Sequence, residues 1–341
     1  MELIKTTRID FIGKRKFFYL LSAIITVAGL IAAFVRGVEY GIDFEGGTEA
    51  AFAFQRPVEI DEVRSAIAAG GFEGAEIKSY GADNQLLIRV QNPDEDAAAA
   101  AILDSAGGVT KVSDQIQSAL DKAIPGNKAT LLKVDNIGPK IGAELRSDAL
   151  MAVIVSIIAI LLFITFRYEF LLGLGAIIAL VHDVLVAFAF AVIFNGLFGL
   201  NLEMNQGMLA AFLTVVGFSI NDKVINFDRI RENKSLHRSE NMMMLINRSI
   251  NETLPRTMLT GFCVILVLLI LLFFAGEVLR GFAFTMLVGL ITGTYSSIYI
   301  AGSFVVDAMI FQGKLDPKAE RDFMAEQQKI QGERRTASAH V

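Results

Sequence analysis

Reactive residues are scarce in this sequence, and each scarcity excludes something. There is one cysteine, Cys263, so no disulfide can close within the chain and no cysteine metal site can be built. The three histidines, His182, His237 and His340, are too scattered to make a metal cluster. Basic residues form no stripe of the kind that grips nucleic acid. An HExxH pair, a P-loop and a Gly-x-Ser-x-Gly turn are all missing. Residues 41–48, GIDFEGGT, look only superficially like a phosphate loop, because the Lys-Ser/Thr that would bind phosphate and metal is missing. They read as a tight turn entering a strand at Thr48. No catalytic nucleophile, metal or cofactor is expected, and the chain is not read as an enzyme.

Long apolar runs are what it has in quantity. Hydrophobic residues make up 53% of the chain, and mean hydropathy is +0.52. Several charge-free runs approach the ~20 residues that cross a bilayer. Residues 17–35 form the first, behind Lys5, Arg8, Lys14, Arg15 and Lys16. It is long for a signal peptide and no cleavage site follows, so it reads as an uncleaved span. Five more are expected at 149–166, 170–194, 204–225, 257–276 and 281–306. The loop 195–203 has no Lys or Arg and 276–281 has only Arg280, whereas Arg167, Arg229, Arg231, Lys234, Arg238, Arg248 and Arg256 lie on the other side. Counting positive charge places both termini in the cytoplasm.

The net charge of −5 conceals a division: residues 36–146 hold 11 basic and 18 acidic side chains, the rest 20 and 18. That acidic segment is long enough for a small domain. Its pattern gives a strand at 48–54, a helix at 59–70, short strands at 75–80 and 86–90, a helix opened by Asp94, Glu95 and Asp96 and running through five alanines, a helical stretch at 113–123 and a last strand at 129–134. The order β-α-β-β-α-β is that of the ferredoxin-like motif. The fold class expected is a bundle of six transmembrane helices carrying an inserted α+β domain. The divisions are 1–16, 17–35, 36–146, 147–306 with a cytoplasmic loop at 226–256, and a cytoplasmic tail, 307–341, that carries dense mixed charge from Lys314 and is expected to be partly disordered from there. Residues 239–255 carry apolar Met242, Ile246, Ile250 and Leu254 at helical spacing, and either lie on the membrane surface or pack on the bundle.

Ionisable residues inside spans are costly and therefore informative. In the fourth span Ser219, Asp222, Asn226, Arg229 and Asn233 fall on one helical face. Asp222 reads either as a site of proton exchange or as half of a fixed ion pair, and Arg256, at the start of the fifth span, is the counter-ion nearest in depth. Lys223 is adjacent in sequence but points elsewhere, and can snorkel to the interface. His182 and Asp183 sit near the middle of the third span, as a proton pathway or a buried locking pair. In the sixth span Thr285, Gly289, Thr292, Ser296, Tyr299 and Ser303 step by three and four, a small and polar stripe for helix contact.

Four motifs occur in order: GIDFEGGTE after the first span, NIGPKIGAEL before the second, HD in the third and GFSINDKVINFDRIREN in the fourth. Over residues 36 to about 307 the chain resembles the SecD/SecF family of protein-export membrane proteins, within the resistance-nodulation-division superfamily. The resemblance implies a protein of the bacterial cytoplasmic membrane that works with a SecD-like partner beside the SecYEG channel. It implies that the proton-motive force is drawn on to move translocating protein chains, and that 36–146 is a periplasmic domain. It also implies that Asp222 takes part in proton movement with Arg256 as companion. Lys223 departs from the family pattern, which has a small hydroxyl residue there. Two other readings stand beside this one: an assembly subunit without proton transfer, and half of a small-molecule exporter.

Overall fold

The computed structural model describes residues 7–72, 74–90, 108–315, 321–323 and 325–326. In chain order the elements are α1 (Arg15–Arg36), α2 (Ile42–Glu45), β1 (Gly47–Phe54), α3 (Ile60–Ala69), β2 (Glu76–Tyr80), β3 (Ala82–Val90), α4 (Gly108–Ala123), β4 (Ala129–Ile137), α5 (Pro139–Arg167), α6 (Phe170–Phe194), α7 (Gln206–Leu236), α8 (Met242–Phe274), α9 (Glu277–Ser296), a π-helical turn (Ser297–Ala301) and α10 (Gly302–Phe311). Among the described residues six helices are long and apolar enough to cross a membrane: α1, α5, α6, α7, α8 and the continuous α9–α10. The helix expected to open at Asp94 lies outside the described residues.

Three helices run beyond the apolar segments that announce them. α5 starts at Pro139, where the missing N–H of proline does no harm in a first turn. α7 begins on Asn205, whose Oδ1 accepts the Met208 N–H at 2.8 Å, and continues to Leu236. α8 passes through Pro255 unbroken, so 242–255 and the fifth span are one helix. Its first half packs against the bundle rather than lying on the membrane surface, with Met243, Ile246, Ile250 and Thr253 buried. The reason lies in two amides one turn apart. Asn247 and Asn251 bind the backbone of the segment ahead of α1: Asn251 Oδ1 accepts Ile9 N–H at 2.7 Å, and Asn247 Oδ1 accepts Phe11 N–H at 2.9 Å. Phe11 and Ile12 are thereby held in the core.

The sheet has the order β2-β3-β1-β4, every neighbour antiparallel. Alternation sorts its residues. Ala50, Phe52, Leu86, Ile88 and Val90 face Val63, Ile67, Ile116 and Leu120 of α3 and α4. Glu49 and Arg89, directly opposite each other on β1 and β3, face the other way, toward the helices in the membrane. The chain enters β1 through Gly46 and Gly47, at φ 77° and 127°. Against this turn lies Gly142 of α5, where a Cβ would come within 2.9 Å of the Gly46 nitrogen. Two of the sequence motifs therefore meet at one contact between sheet and bundle.

Candidate functional site

The middle of the bundle holds an ion pair that is fully out of water. Asp183 on α6 and Lys223 on α7 have fully buried side chains, with Nζ to Oδ2 at 2.8 Å. Such a pair persists only if its remaining hydrogen-bonding capacity is met. Ser296 of α9 donates to Asp183 Oδ2 at 2.8 Å and accepts from Lys223 Nζ at 3.1 Å. Ser219, one turn before Lys223, bonds both partners. On the other carboxylate oxygen, His182 Nδ1 lies 3.0 Å from Oδ1. Three helices meet on one carboxylate, and α9 comes close enough because Gly289 faces Val215: a Cβ on Gly289 would fall 2.2 Å from Val215 Cγ2.

Lys223 does face away from Asp222, but inward rather than out to the interface, and its side chain is fully buried on Asp183. Successive residues on α7 diverge by about 100°, and the rotation that carries Lys223 off the Asp222 face carries it onto Asp183. Asp222 is itself 5% exposed, with Thr294 of α9 within hydrogen-bonding reach. Among the described residues no cation is ion-paired with Asp222. Arg256 is exposed and, again among the described residues, is paired with no carboxylate, so the expected Asp222–Arg256 contact is not formed within this chain.

The rest of the polar face on α7 is bonded. Asn226 Nδ2 donates to the Ser297 carbonyl at 3.2 Å, and its Oδ1 accepts from Thr253 at 2.5 Å. Arg229 pairs with Glu252 at 2.6 Å and with Glu232 at 2.7 Å. Asn233 donates to Ser249 at 2.9 Å and to Glu252 at 2.8 Å. The stripe thus combines a hydrogen-bonded seam toward α8 and the Ser297 carbonyl with one buried carboxylate that, among the described residues, is in no ion pair.

A second cluster joins the sheet to the bundle, and nothing in the sequence pattern announced it. Glu203, in the α6–α7 loop, is 3% exposed and takes Arg89 on one oxygen and Lys78 on the other. Arg89 also reaches Glu49 at 3.1 Å and Glu76 at 3.1 Å, and Lys78 reaches Glu39 at 2.7 Å. Backbone bonds run alongside: Met204 N–H to Glu39 O at 2.9 Å and Gly41 N–H to Met204 O at 2.9 Å. Burial acts to lower the Arg89 pKa, but Glu203 and Glu49 outweigh it and the group is held up. Burial pushes the Glu49 carboxyl up against the pull of Arg89, while the Lys78 hydrogen bond holds Glu39 below the usual range.

Comparison with known proteins places these features in a family. The model described as "Protein export membrane protein SecD/SecF, C-terminal" matches residues 116–310, and that of the "SecD/SecF GG Motif" matches 31–58. The protein translocase subunit SecF of Gemmatimonas aurantiaca is 37% identical over 90% of this chain and 89% of its own length. That of Pseudomonas aeruginosa is 34% identical over 94% and 97%. The crystal structure of SecDF, a translocon-associated membrane protein from Thermus thermophilus, is similar with a TM-score of 0.75 at 33% identity. It is covered over 38% of its length, and 88% of this chain takes part.

Proposed function

The chain belongs to the SecD/SecF family of protein-export membrane proteins, and we propose that it is a SecF-type auxiliary subunit of Sec export that couples proton movement to translocation. A SecD-like partner is supported by the Thermus thermophilus protein translocase subunit SecDF, in which the region like this chain makes up 38% of one polypeptide. The SecYEG channel, translocating chains and the bacterial cytoplasmic membrane belong to the same reading, with no enzymatic step. The loop asymmetry in Lys and Arg supports cytoplasmic termini and a periplasmic 36–146. The sheet order β2-β3-β1-β4 supports a ferredoxin-like unit there.

The observation that carries the proton reading is the contrast between two carboxylates on facing helices. Asp183 is committed to Lys223. Asp222 is buried and, among the described residues, in no ion pair, so it can take or release a proton without breaking one. Moving a proton to such a group changes which helix arrangement is favoured, and the membrane potential supplies about 2.3 kcal/mol per charge per 100 mV. In this reading Asp222 carries the proton and His182, on Asp183, borders its route. Arg256 stands on the open face of α8, available to a neighbouring subunit.

The test is Asp222→Asn, which keeps shape and hydrogen bonding but cannot ionise. Membrane vesicles containing the complex are compared for co-purification with the SecD-like partner and for export of a reporter precursor with and without a proton gradient. Assembly is expected to be unchanged and the gradient-dependent part of export lost. If that part survives, the chain is an assembly subunit instead.

A further inference from the structure

Between α5, α6 and α7, just below the sheet, lies a cavity of about 330 Å³, within the ~300–1,000 Å³ range of ligand pockets. Its α5 wall alternates small side chains, Ala149, Val153 and Ser156, with Leu150 and Ile157, across from Phe188 and Leu213. Ser156 makes no polar demand on the cavity, since its hydroxyl bonds the Ala152 carbonyl at 2.7 Å. Among the described residues no carboxylate lines the space, and one cation does: Arg146, at its mouth.

Depth gives that arrangement its meaning. Residues 149–166 of α5 are uncharged and rise about 27 Å at 1.5 Å per residue, close to the ~30 Å hydrocarbon layer. Arg146 therefore stands at headgroup level, and the cavity walls at the level of acyl chains. Its guanidinium lies 4.5 Å from the Tyr40 ring centroid, with Nη2 3.4 Å from the Tyr40 hydroxyl. That stacking fixes the group while leaving it, among the described residues, without a carboxylate. Glu144 and Asp148 are about 160° round the helix, on the opposite face. Leu150, 61% exposed, forms the outer lip.

An apolar slot with a single fixed cation at headgroup depth matches a molecule with a chain below and an anion above. We propose that the cavity holds an acyl chain of an anionic phospholipid from the leaflet on the sheet side, its phosphate on Arg146. A free phosphate has no use for the walls, and an uncharged hydrocarbon has none for the guanidinium.

The chain contains no tryptophan, so one introduced indole reports its own surroundings. The full chain carrying Phe188→Trp is reconstituted into phosphatidylcholine vesicles containing a minor fraction of phosphatidylglycerol with brominated chains, which quench by contact. Quenching is expected to show a several-fold enrichment of the brominated lipid over its bulk fraction, falling to the bulk fraction with Arg146→Gln. Ile270→Trp, on the exposed side of α8, should report the bulk fraction in both backgrounds, and Leu213→Trp repeats the measurement if Phe188→Trp does not fold. Quenching at the bulk fraction with Arg146 present overturns the proposal, as does enrichment that survives Arg146→Gln. Enrichment that vanishes when the SecD-like partner is co-reconstituted assigns the cavity to that protein and overturns it as well.

Discussion

Asp183 meets one lysine, and Arg89 meets three carboxylates. The first cluster lies amid membrane helices and balances to neutrality, its spare lone pairs and protons taken by two serines and a histidine. The second lies between sheet and bundle, where Lys78 and Arg89 face Glu39, Glu49, Glu76 and Glu203. Surplus charge is tolerable there because Glu39 and Glu76 are more than half exposed and keep their water. Enclosure permits one arrangement, whereas a wet border permits several. The membrane pair fixes three helices, and the border cluster leaves two of its four carboxylates in contact with water.

Breaking each cluster should expose that difference. Lys223→Met leaves Asp183 as an uncompensated charge and should cost about 3–5 kcal/mol. It is read as a large drop in the melting temperature of the purified full chain, with most of the loss recovered in the double change Asp183→Asn, Lys223→Met. A single variant as stable as the parent would remove the contrast. Glu203→Gln keeps the shape of the second cluster and weakens charged hydrogen bonds worth about 1.5–3 kcal/mol. The global melt should hardly move, while amide exchange accelerates at Gly41 and Met204, whose backbone bonds join loop to bundle. Equal loss of global stability would mean that the border is as rigid as the core.

The smallest effect is that of pH on the same two amides. Glu39 is held below its ordinary value of 4.5, chiefly by the Lys78 hydrogen bond, so its contribution is complete above that value and fades as pH falls through the lowered one. Lys78 is shifted down by burial but further up by Glu203 and Glu39, ending above 10.5. Its contribution is complete below 10.5 and is lost as pH rises through the raised value. Glu49, raised by burial, favours docking on the acid side and opposes the loss at Glu39. Protection at Gly41 and Met204 should therefore be flat only between the raised Glu49 value and 10.5, rise shallowly as pH falls through that Glu49 value, fall as Glu39 protonates below 4.5, and decline in alkali as Lys78 loses its proton. Hydrogen exchange across that range checks the shape.

The apolar runs revealed the spans because a charge inside a bilayer is so costly that its absence is itself a signal. Strands were legible from alternation, although β3 begins at Ala82, four residues earlier than expected: Asp83 and Asn84 read as turn residues, yet Ala82 already pairs with Tyr80, and the register shifts there to pass the two polar residues. Lys223 was given to the interface because a long basic side chain off the polar face can snorkel. The better sign was its i,i+4 spacing from Ser219 together with an unpaired carboxylate on another span. Arg89 and Glu203 are too far apart in sequence to be linked by pattern. Alternation alone would have shown only that Arg89 faces away from Ile88 and Val90. The stretch read at 239–255 and the span read at 257–276 are one helix, which runs unbroken through Pro255.

The wide turn at Ser297–Ala301 sets a phase. Ser296 and Asp307 are eleven residues apart, nearly three whole turns, so an unbroken α-helix would point both the same way. Instead Ser296 addresses Asp183 and Asp307 addresses Arg15 of α1 at 2.8 Å, on different neighbours. The π-helical turn takes up one extra residue, about 100° of rotation, and Asn226 bonds the Ser297 carbonyl at its start. One helix is thereby keyed to two partners at two angles, and a change in winding at that point would turn its far end against α1 like a bolt in a lock.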